Sequence, residues 1–294
     1  MGRSQKLHKP LSFEFDEVLT SIADNNKPVT TTAAARPFLK WVGGKRSVLD
    51  ELSVRMPKEY DTYCEPFLGG GALYFHLQPE RALLSDVNFR LIITFRVVRD
   101  SVDKLIEQLK LHVKKHGKSY FLLARQKLST EKDSVKIAAL FIYLNKTCYN
   151  GLYRVNKSDL FNVPMGSYTD PAILDEQNLR AASEVLKGAD IYQRDFSQMS
   201  PQKNNFYYLD PPYHTLYSSY DGSGFGEAEH RMLAKYCNKI NTAGGFFMLS
   251  NSDTDIVRSL YKGYSIDVVK AVRSVSCKGH KRGKEGELII RNYQ

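Results

Sequence analysis

The sequence of 294 residues lacks the features that mark secreted, membrane-spanning or metal-binding proteins. Its four cysteines, Cys64, Cys148, Cys237 and Cys277, lie far apart and form no Cys-x-x-Cys pair. This spacing favours neither a zinc site nor a disulfide framework and is typical of a reducing cytosol. No apolar run approaches the ~18 residues of a membrane span, and the first residues lack the apolar stretch of a secretory signal. We therefore expect a cytoplasmic protein without a zinc site or a membrane span.

The chain does have positive charge and enough apolar residues for one large α/β domain. Its formal net charge is +10, and hydrophobic residues make up 42% of the sequence. Residues 101–160 hold twelve Lys and Arg residues against five Asp and Glu residues. Such a local excess favours an anionic partner, and a solvated basic face is the alternative.

The most informative segment is the one around residues 206–213. An aromatic and apolar run at 206–209 predicts a short buried β-strand, and Asp210, Pro211, Pro212 and Tyr213 follow at once. The two prolines end the strand and restrict the backbone, so they predict a rigid elbow at its carboxyl end. The elbow offers a carboxylate, carbonyl oxygens and an aromatic ring, which together suit a planar amino group on a nucleobase. A plain surface turn is the alternative.

Two glycine-containing segments and an acidic strand end upstream indicate a nucleotide-binding sheet. Trp41, the only tryptophan, precedes the glycines at 43–44, and a short strand at 63–65 leads to the glycines at 69–71. A second strand ends at Asp86, where such sheets place an acid for ribose hydroxyls. The spacing fits neither a phosphate-binding P-loop nor a dinucleotide site, so a ligand with an adenosine end and an amino-acid end fits better. The alternatives are a Gly-Gly turn beside a core tryptophan and an aspartate that caps the next helix.

Residues 101–189 interrupt the alternation of strands and helices. Periodicity predicts a helix over 102–113 and a buried helix over 133–146, which leads into Asn150 and Gly151. Asn-Gly is a strong signal for a tight turn, and β-hairpins often use it. Tyr, Leu and Arg residues surround this turn, as expected of a DNA-reading module. A plain helical cap over the sheet is the alternative.

The remainder of the chain closes the predicted sheet. We expect residues 215–226 to form a mobile loop over the site, and residues 278–284, which include Lys281 and Arg282, to form a basic loop suited to phosphates. The other predicted elements are helices near 13–22 and over 47–56, 91–98 and 227–240, and strands over 244–251, 264–272 and 287–292.

In their order along the chain, these motifs resemble those of the Dam-type DNA adenine-N6 methyltransferases, S-adenosylmethionine-dependent enzymes that act at GATC. The resemblance runs from about Arg36 to the end of the sequence. The chain departs from the pattern in residues 1–36 and in the short loop after Tyr213. The similar segments are Phe38-Leu39-Lys40-Trp41-x-Gly43-Gly44-Lys45, Glu65-Pro66-Phe67-x-Gly69-x-Gly71, Asp86-x-Asn88, Tyr149-Asn150-Gly151-Leu152-x-Arg154, Phe161-Asn162-Val163-Pro164-x-Gly166-x-Tyr168 and Asp210-Pro211-Pro212-Tyr213.

The resemblance implies an α/β fold, a doubly wound, mixed seven-stranded, Rossmann-like methyltransferase sheet with an inserted, mainly helical DNA-recognition domain. Residues 1–36 would be a flexible extension, 37–100 with 190–294 the catalytic domain, and 101–189 the target-recognition domain. It further implies S-adenosylmethionine as cofactor, S-adenosylhomocysteine as product, double-stranded DNA as partner, no metal, a monomer and a bacterial or phage source.

The resemblance also implies roles for single residues. The catalytic residues would be Asp210, Pro211, Pro212 and Tyr213. The cofactor contacts would be Trp41, Lys45, Glu65, Phe67, Gly69, Gly71, Asp86 and Asp210. The DNA contacts would be Lys40, Tyr149, Asn150, Leu152, Arg154, Pro164 and Tyr168, to which the basic loop adds Lys281 and Arg282.

Two rival functions remain at the level of sequence. An N4-cytosine DNA methyltransferase would use the same elbow for a different exocyclic amine, and Asp rather than Ser at position 210 favours adenine. A non-catalytic DNA-binding relative is the second rival, and the intact segment 210–213 argues against it.

Overall fold

The structure, a computed structural model, describes residues 34–214, 225–271 and 285–294, and its centre is a seven-stranded sheet. The strands stand in the order β3-β2-β1-β4-β5-β7-β6; the first five are parallel, and β7 is antiparallel to both of its neighbours. The predicted mixed seven-stranded sheet is thereby confirmed. The strands are β1 Tyr63–Glu65, β2 Ala82–Asp86, β3 Ala189–Gln193, β4 Phe206–Leu209, β5 Phe246–Ser252, β6 Ser265–Ala271 and β7 Glu285–Arg291.

Helices cover both faces of this sheet. Those on one face include α3, α6 and α7, while α8 and α9 pack against the other face. This arrangement confirms that the sheet is doubly wound. The helices of the described residues are α1 Leu49–Ser53, α2 Ala72–Leu77, α3 Phe89–Asp100, α4 Val102–Lys115, α5 Lys118–Lys127, α6 Ser134–Thr147, α7 Glu176–Leu186, α8 Glu227–Thr242 and α9 Asp255–Leu260.

The central strand β4 is aromatic or apolar along its whole length, and both of its faces are buried. In β4, Phe206 and Tyr208 join the core on the α3 side, while Tyr207 and Leu209 join the core on the α8 side. Successive side chains of a strand point to opposite faces, so a strand covered on both sides needs a continuous apolar run. The run that ends at Asp210 therefore holds the elbow on a rigid, central strand.

Helices α4 and α6 follow α3 and pack against it, while α5 packs against α6. The periodicity of residues 102–113 and 133–146 correctly predicts α4 and α6. Ten of the fourteen residues of α6 are buried, which is typical of a helix that is hydrophobic all round. Asp133 caps its amino end, where the side chain accepts a hydrogen bond from the Lys136 N–H at 2.9 Å. The assignment of residues 101–189 to a separate recognition domain stays a prediction.

Several local predictions need adjustment. Asn150 and Gly151 do form a tight turn, but it is a single 3-10 turn at the end of α6 and has no β-hairpin strands beside it. The helix predicted over 47–56 is shorter, since α1 covers only Leu49–Ser53. The helix predicted near 13–22, positions 215–224 of the predicted loop, and the basic loop with Lys281 and Arg282 lie outside the described residues. Within the described ranges, no helix is long and apolar enough to cross a membrane.

Candidate active site

The order of the strands reverses between β1 and β4, and this reversal creates a crevice at the carboxyl ends of both strands. Glu65 is the last residue of β1, and Asp210 follows β4 directly. Asp86 ends the neighbouring β2. Open α/β sheets bind ligands in such a crevice. The sheet therefore brings together the three acidic residues that the sequence places at separate strand ends.

Lys45 forms an ion pair with Asp210 at the centre of the crevice. The Lys45 Nζ lies 2.8 Å from the Asp210 Oδ1, and the two side chains are only 6% and 21% exposed. The same ammonium donates a hydrogen bond to the Gly43 carbonyl at 2.8 Å, which fixes its direction. Burial raises the pKa of Asp210 to about 6; the Lys45 charge opposes this shift, and the Glu287 carboxylate adds to it. Asp210 is thus mainly an ionised acceptor at neutral pH.

Glu65 lies in the same crevice in a different protonation state. Its carboxyl is buried and accepts a hydrogen bond from the Tyr63 hydroxyl at 2.8 Å. Burial raises the pKa of Glu65 to about 8; the Tyr63 hydrogen bond opposes the rise, and the charge of Asp210 contributes to it. The two neighbouring carboxyls therefore differ, with Glu65 mainly protonated at pH 7. A cationic ligand group beside Glu65 would favour its ionisation.

Residues of β5 and β7 hold the far end of the elbow after β4 through hydrogen bonds. The Tyr213 hydroxyl donates a hydrogen bond to a carboxylate oxygen of Glu287, and the Lys45 ammonium lies 4.9 Å from the Tyr213 ring centroid. The His214 N–H donates to the Asn251 Oδ1 at 3.1 Å, and the His214 carbonyl accepts from the Ser252 hydroxyl at 2.5 Å. Sequence reasoning missed these partners, which come from the amino end of β7 and the carboxyl end of β5.

Asp86 organises the glycine loop between β1 and α2. Its carboxylate accepts hydrogen bonds from the Gly69 N–H at 3.0 Å and from the Asn88 N–H at 2.9 Å. The cap of α3 is Asn88, whose side chain accepts from the Leu91 N–H at 3.1 Å, so the helix-cap interpretation of Asp86 is wrong. Gly69 has a φ of +48°, and a Cβ there would lie 2.7 Å from the indole Cδ1 of Trp41. The loop thus fits against Trp41 only because residue 69 is a glycine.

Aromatic rings line the crevice on the α8 side of the sheet. The Phe67 ring stacks on Phe196 with centroids 5.3 Å apart, and Phe225 packs edge-on against Phe67 at 5.9 Å. Phe196 follows β3, and Asp195 caps the short 3-10 turn that contains it. Sequence reasoning missed Phe196 and Phe225. The sequence contains one signal for Phe196, since an Asp-Phe pair follows β3, the strand next to β2.

Lys40 is fixed against the turn at the end of α6. The Asn145 side chain accepts from the Lys40 N–H at 2.8 Å and donates to the Lys40 carbonyl at 2.7 Å and to the Gly151 carbonyl at 3.0 Å. The Lys40 ammonium lies 4.1 Å from the ring centroid of Tyr168. A backbone hydrogen bond of 2.9 Å from Tyr149 to the Pro164 carbonyl ties the two predicted reading segments together.

Arg154 belongs to a small ribbon closed by a bridge between Val155 and Phe161. Its Nε donates to the Asn162 Oδ1 at 2.7 Å, which orients the guanidinium group. The ring of Tyr149 is 54% exposed. Among the predicted DNA contacts in the described part of the chain, Leu152 is half-buried and the others are exposed, namely Lys40, Tyr149, Asn150, Arg154, Pro164 and Tyr168.

The structure places the predicted cofactor residues in three segments, and their role stays a prediction. Trp41 and Lys45 precede α1, Asp86 ends β2, and the segment from the end of β1 to the start of α2 holds Glu65, Phe67, Gly69 and Gly71. In the elbow, Pro211 is buried and Pro212 is exposed. Among the residues that the structure describes, no group of three or more His, Cys, Asp or Glu side chains is placed to hold a metal ion.

The reversed strand order, the glycine loop after β1 and the elbow after β4 define an α/β fold of the methyltransferase type. A family model described as D12 class N6 adenine-specific DNA methyltransferase matches residues 41–275. The chain belongs to this family and is an adenine-specific DNA methyltransferase.

Its relatives come from archaea, bacteria and viruses. The Type II methyltransferase M.MjaIII of Methanocaldococcus jannaschii is 41% identical, with 88% of this chain and 99% of that protein covered. A DNA adenine methylase of Haemophilus influenzae is 34% identical, with 86% and 92% covered. The Type II methyltransferase M.CviBI of Paramecium bursaria Chlorella virus NC1A is 33% identical, with 88% and 100% covered.

Proposed function

We propose that the chain transfers a methyl group from S-adenosylmethionine to the N6 atom of adenine within GATC in duplex DNA, with the target base flipped out of the helix. The observation that carries this proposal is the Asp210 carboxylate, aimed into the switch-point crevice by the elbow and paired with Lys45 at 2.8 Å. An exocyclic amine that enters this crevice loses its hydrogen bonds to water. The ionised Asp210 carboxylate can accept a hydrogen bond in their place.

The chemistry of N6 explains why such acceptors are needed. The lone pair of this nitrogen is delocalised into the adenine ring, so the amine is a poor nucleophile. Hydrogen bonds from N6 to the Asp210 carboxylate and to the Pro211 carbonyl favour a pyramidal nitrogen with its lone pair free for attack. Because no covalent enzyme intermediate is required, positioning supplies much of the rate enhancement.

The cofactor assignment follows from the family and from the charge of the crevice. When bound, S-adenosylmethionine supplies both the methyl group and its own leaving group. Two acidic residues, Glu65 and Asp210, face a single described ammonium, that of Lys45, which suits a ligand with cationic groups. The Asp86 carboxylate binds two backbone N–H groups through different oxygens and retains acceptor capacity for ribose hydroxyls.

The target base must leave the stack to reach Asp210, because the elbow lies within a crevice of the sheet. Flipping a base costs a few kcal/mol, and an aromatic side chain can stack on the extruded base. We assign that stacking role to Tyr213, the last residue of the elbow.

We further assign GATC recognition to the exposed residues around the 3-10 turn and the Arg154 ribbon, within residues 101–189. Arg is the usual partner of guanine edges, and aromatic residues beside it can contact or displace bases. Residues 37–100 and 190–294 then form the catalytic part of a monomeric enzyme. The match to the N6 adenine-specific family and the similarity to DNA adenine methylases support an adenine target, and the resemblance of the two reading segments supports GATC.

The decisive experiment combines an Asp210 variant with product analysis. Labelled S-adenosylmethionine would be incubated with GATC duplexes, with duplexes already methylated at that adenine and with scrambled duplexes, and the modified base identified by mass spectrometry after digestion. We expect N6-methyladenine only in the unmodified GATC duplex, and a loss of about 100-fold or more for Asp210→Ala, since removal of one preorganised group typically costs this much.

A matched thermal melt must show that Asp210→Ala folds as the wild type does. N4-methylcytosine as the product would replace the proposal by the cytosine alternative. Equal methylation of GATC and scrambled duplexes would refute the assigned specificity, and wild-type turnover by folded Asp210→Ala would refute the role of the elbow.

A further inference from the structure

The antiparallel strand β7 brings a buried carboxylate to the catalytic edge of the sheet. Because β7 runs against β5, its amino end lies beside the carboxyl end of β5, and Glu287 pairs in register with Ser252. Glu287 also pairs with Val269 on β6 and is only 5% exposed. A glutamate in this position, enclosed between two strands, needs a hydrogen-bonding partner to offset its burial.

Tyr213 supplies such a partner. Its hydroxyl donates a hydrogen bond to the Glu287 Oε1, across 74 positions of sequence. The ring of Tyr213 also contacts the Lys45 ammonium, which pairs with Asp210. Tyr213 follows two prolines and lies outside the strands and helices of the sheet. The bond to Glu287 holds the far end of the side chain and so restricts its rotation.

We propose that Glu287 is a positioning residue for methyl transfer, which holds the Tyr213 ring in the orientation that stacks on the flipped target base. This inference rests on the proposed function, because it assumes a base that enters the crevice. A carboxylate acceptor is well suited to the task, since a hydrogen bond to a charged group is shorter and stronger than a neutral one. Glu287 acts only through Tyr213 and does not itself contact the base.

A competing explanation is that Glu287 contributes negative charge to the crevice and that its bond to Tyr213 is incidental. The two explanations differ for Glu287→Gln. That variant removes the charge but keeps a carbonyl oxygen able to accept from the Tyr213 hydroxyl, whereas Glu287→Leu removes both. Tyr213→Phe is the matched variant on the other side, because it deletes only the donor of the same bond.

The first measurement uses kcat and KM on a duplex with the full target site. We expect Glu287→Leu and Tyr213→Phe to lower kcat by about 10- to 100-fold, the factor that follows from losing one hydrogen bond to a charged group, with KM for DNA little changed. Glu287→Gln should retain most of the turnover. The double variant Glu287→Leu/Tyr213→Phe should be no slower than either single variant, because both changes break one bond.

The second measurement places 2-aminopurine at the target adenine. Stacking on an aromatic ring quenches this base, so its fluorescence in the complex reports contact with Tyr213. We expect a brighter complex for Glu287→Leu and Tyr213→Phe than for the wild type and Glu287→Gln. A role confined to folding would leave this intensity unchanged in the fraction of protein that binds DNA.

Three results would overturn the proposal: Glu287→Gln as slow as Glu287→Leu, additive losses in the double variant, or wild-type quenching in Glu287→Leu. If Glu287→Leu fails to fold, the same test can be made with Tyr213→Phe and with the double variant Tyr213→Phe/Glu287→Gln. These two variants should then have equal kcat values.

A double-mutant cycle on the thermal stability of the ligand-free protein separates this inference from the proposed function. Coupling between Glu287 and Tyr213 in that cycle establishes the bond even if the wild type methylates none of the duplexes, in which case the proposed function fails. Absence of coupling in an active enzyme refutes the inference alone.

Discussion

Replacing Lys45 with methionine should move the acidic limb of the pH–rate profile to higher pH. In the proposed mechanism an ionised Asp210 accepts hydrogen bonds from N6 more strongly than a protonated one does, so activity should fall as the pH drops through its pKa. Burial alone raises that pKa, and the Lys45 ammonium at 2.8 Å opposes the rise, leaving it at about 6. Methionine keeps the length and the apolar stem of the side chain but removes the charge, so burial then acts unopposed.

The expected displacement follows from the general effect of a neighbouring charge. An opposite charge within a few ångström lowers the pKa of a carboxyl by about 1–3 units, so the limb of Lys45→Met should lie near pH ~7–9. At pH 7 the ionised fraction of Asp210 would fall from about nine-tenths to between about one-half and one-hundredth. The variant should therefore lose roughly 2- to 100-fold in rate at pH 7 and recover this factor at high pH.

The assay is kcat/KM for methyl transfer between pH 5 and 10, because this quantity reports the titration of the free enzyme. Lys40→Met is the matched control: it removes a charge from the same segment, but its ammonium lies over Tyr168 and not beside Asp210. The kcat/KM of Lys40→Met should be lower across the pH range because DNA binding is weaker. The acidic limb of its pH–rate profile should keep the wild-type position. A Lys45→Met limb that coincides with that of the wild type, or a loss of rate that persists at high pH, would refute the electrostatic role of Lys45.

Two further predictions concern Glu65 and Arg154. Because the pKa of Glu65 is raised to about 8 in the folded chain, its stabilising contribution is complete below its ordinary pKa and is lost as pH rises through 8. The melting temperature of ligand-free wild type should thus decline between pH 5 and 8 more steeply than that of Glu65→Gln, and equal slopes would contradict the assignment. Arg154→Ala should reduce discrimination between GATC and singly substituted duplexes by about 5- to 150-fold in kcat/KM, which corresponds to ~1–3 kcal/mol. Lys157→Ala, an exposed charge on the same ribbon, should instead weaken binding to all duplexes alike.

The parts of the site that the sequence predicts are those that local chemistry determines. Two prolines after an apolar run stop a strand wherever that strand lies, so the elbow with Asp210 is visible without a structure. Asp86 is visible for the same reason, because it ends a strand one βα unit after the glycine loop. Parallel strands then bring their carboxyl ends to one edge, which is why separate motifs converge.

The remaining contacts depend on strand register, which the sequence specifies only through the assembled sheet. Glu287 begins an apolar run and gives no local sign that it faces Tyr213, and Asn251 is 37 positions from the His214 N–H that it binds. A shift of one residue in β7 would turn Glu287 to the opposite face of the sheet. The Asn-Gly pair is another example of a feature that local sequence predicts only in part. The pair predicts a tight turn, but the helix that precedes it determines that this is a 3-10 turn and not a β-hairpin turn.

One short segment, residues 38–45, contacts both the ribbon that contains Arg154 and the elbow that contains Asp210. The Lys40 backbone is bound by Asn145 near the end of α6, and the Lys45 ammonium pairs with Asp210. The Trp41 ring packs against the glycine loop and stacks on Tyr153, beside Arg154, with centroids 6.1 Å apart. A Cβ on Gly69 would lie 2.7 Å from the Trp41 Cδ1, and a Cβ on Gly151 would lie 2.4 Å from the Lys40 Cβ. Both glycines also have positive φ values, of +48° and +65°. Each glycine therefore leaves room for this segment, and a side chain at either position would displace the segment and move Lys45 relative to Asp210.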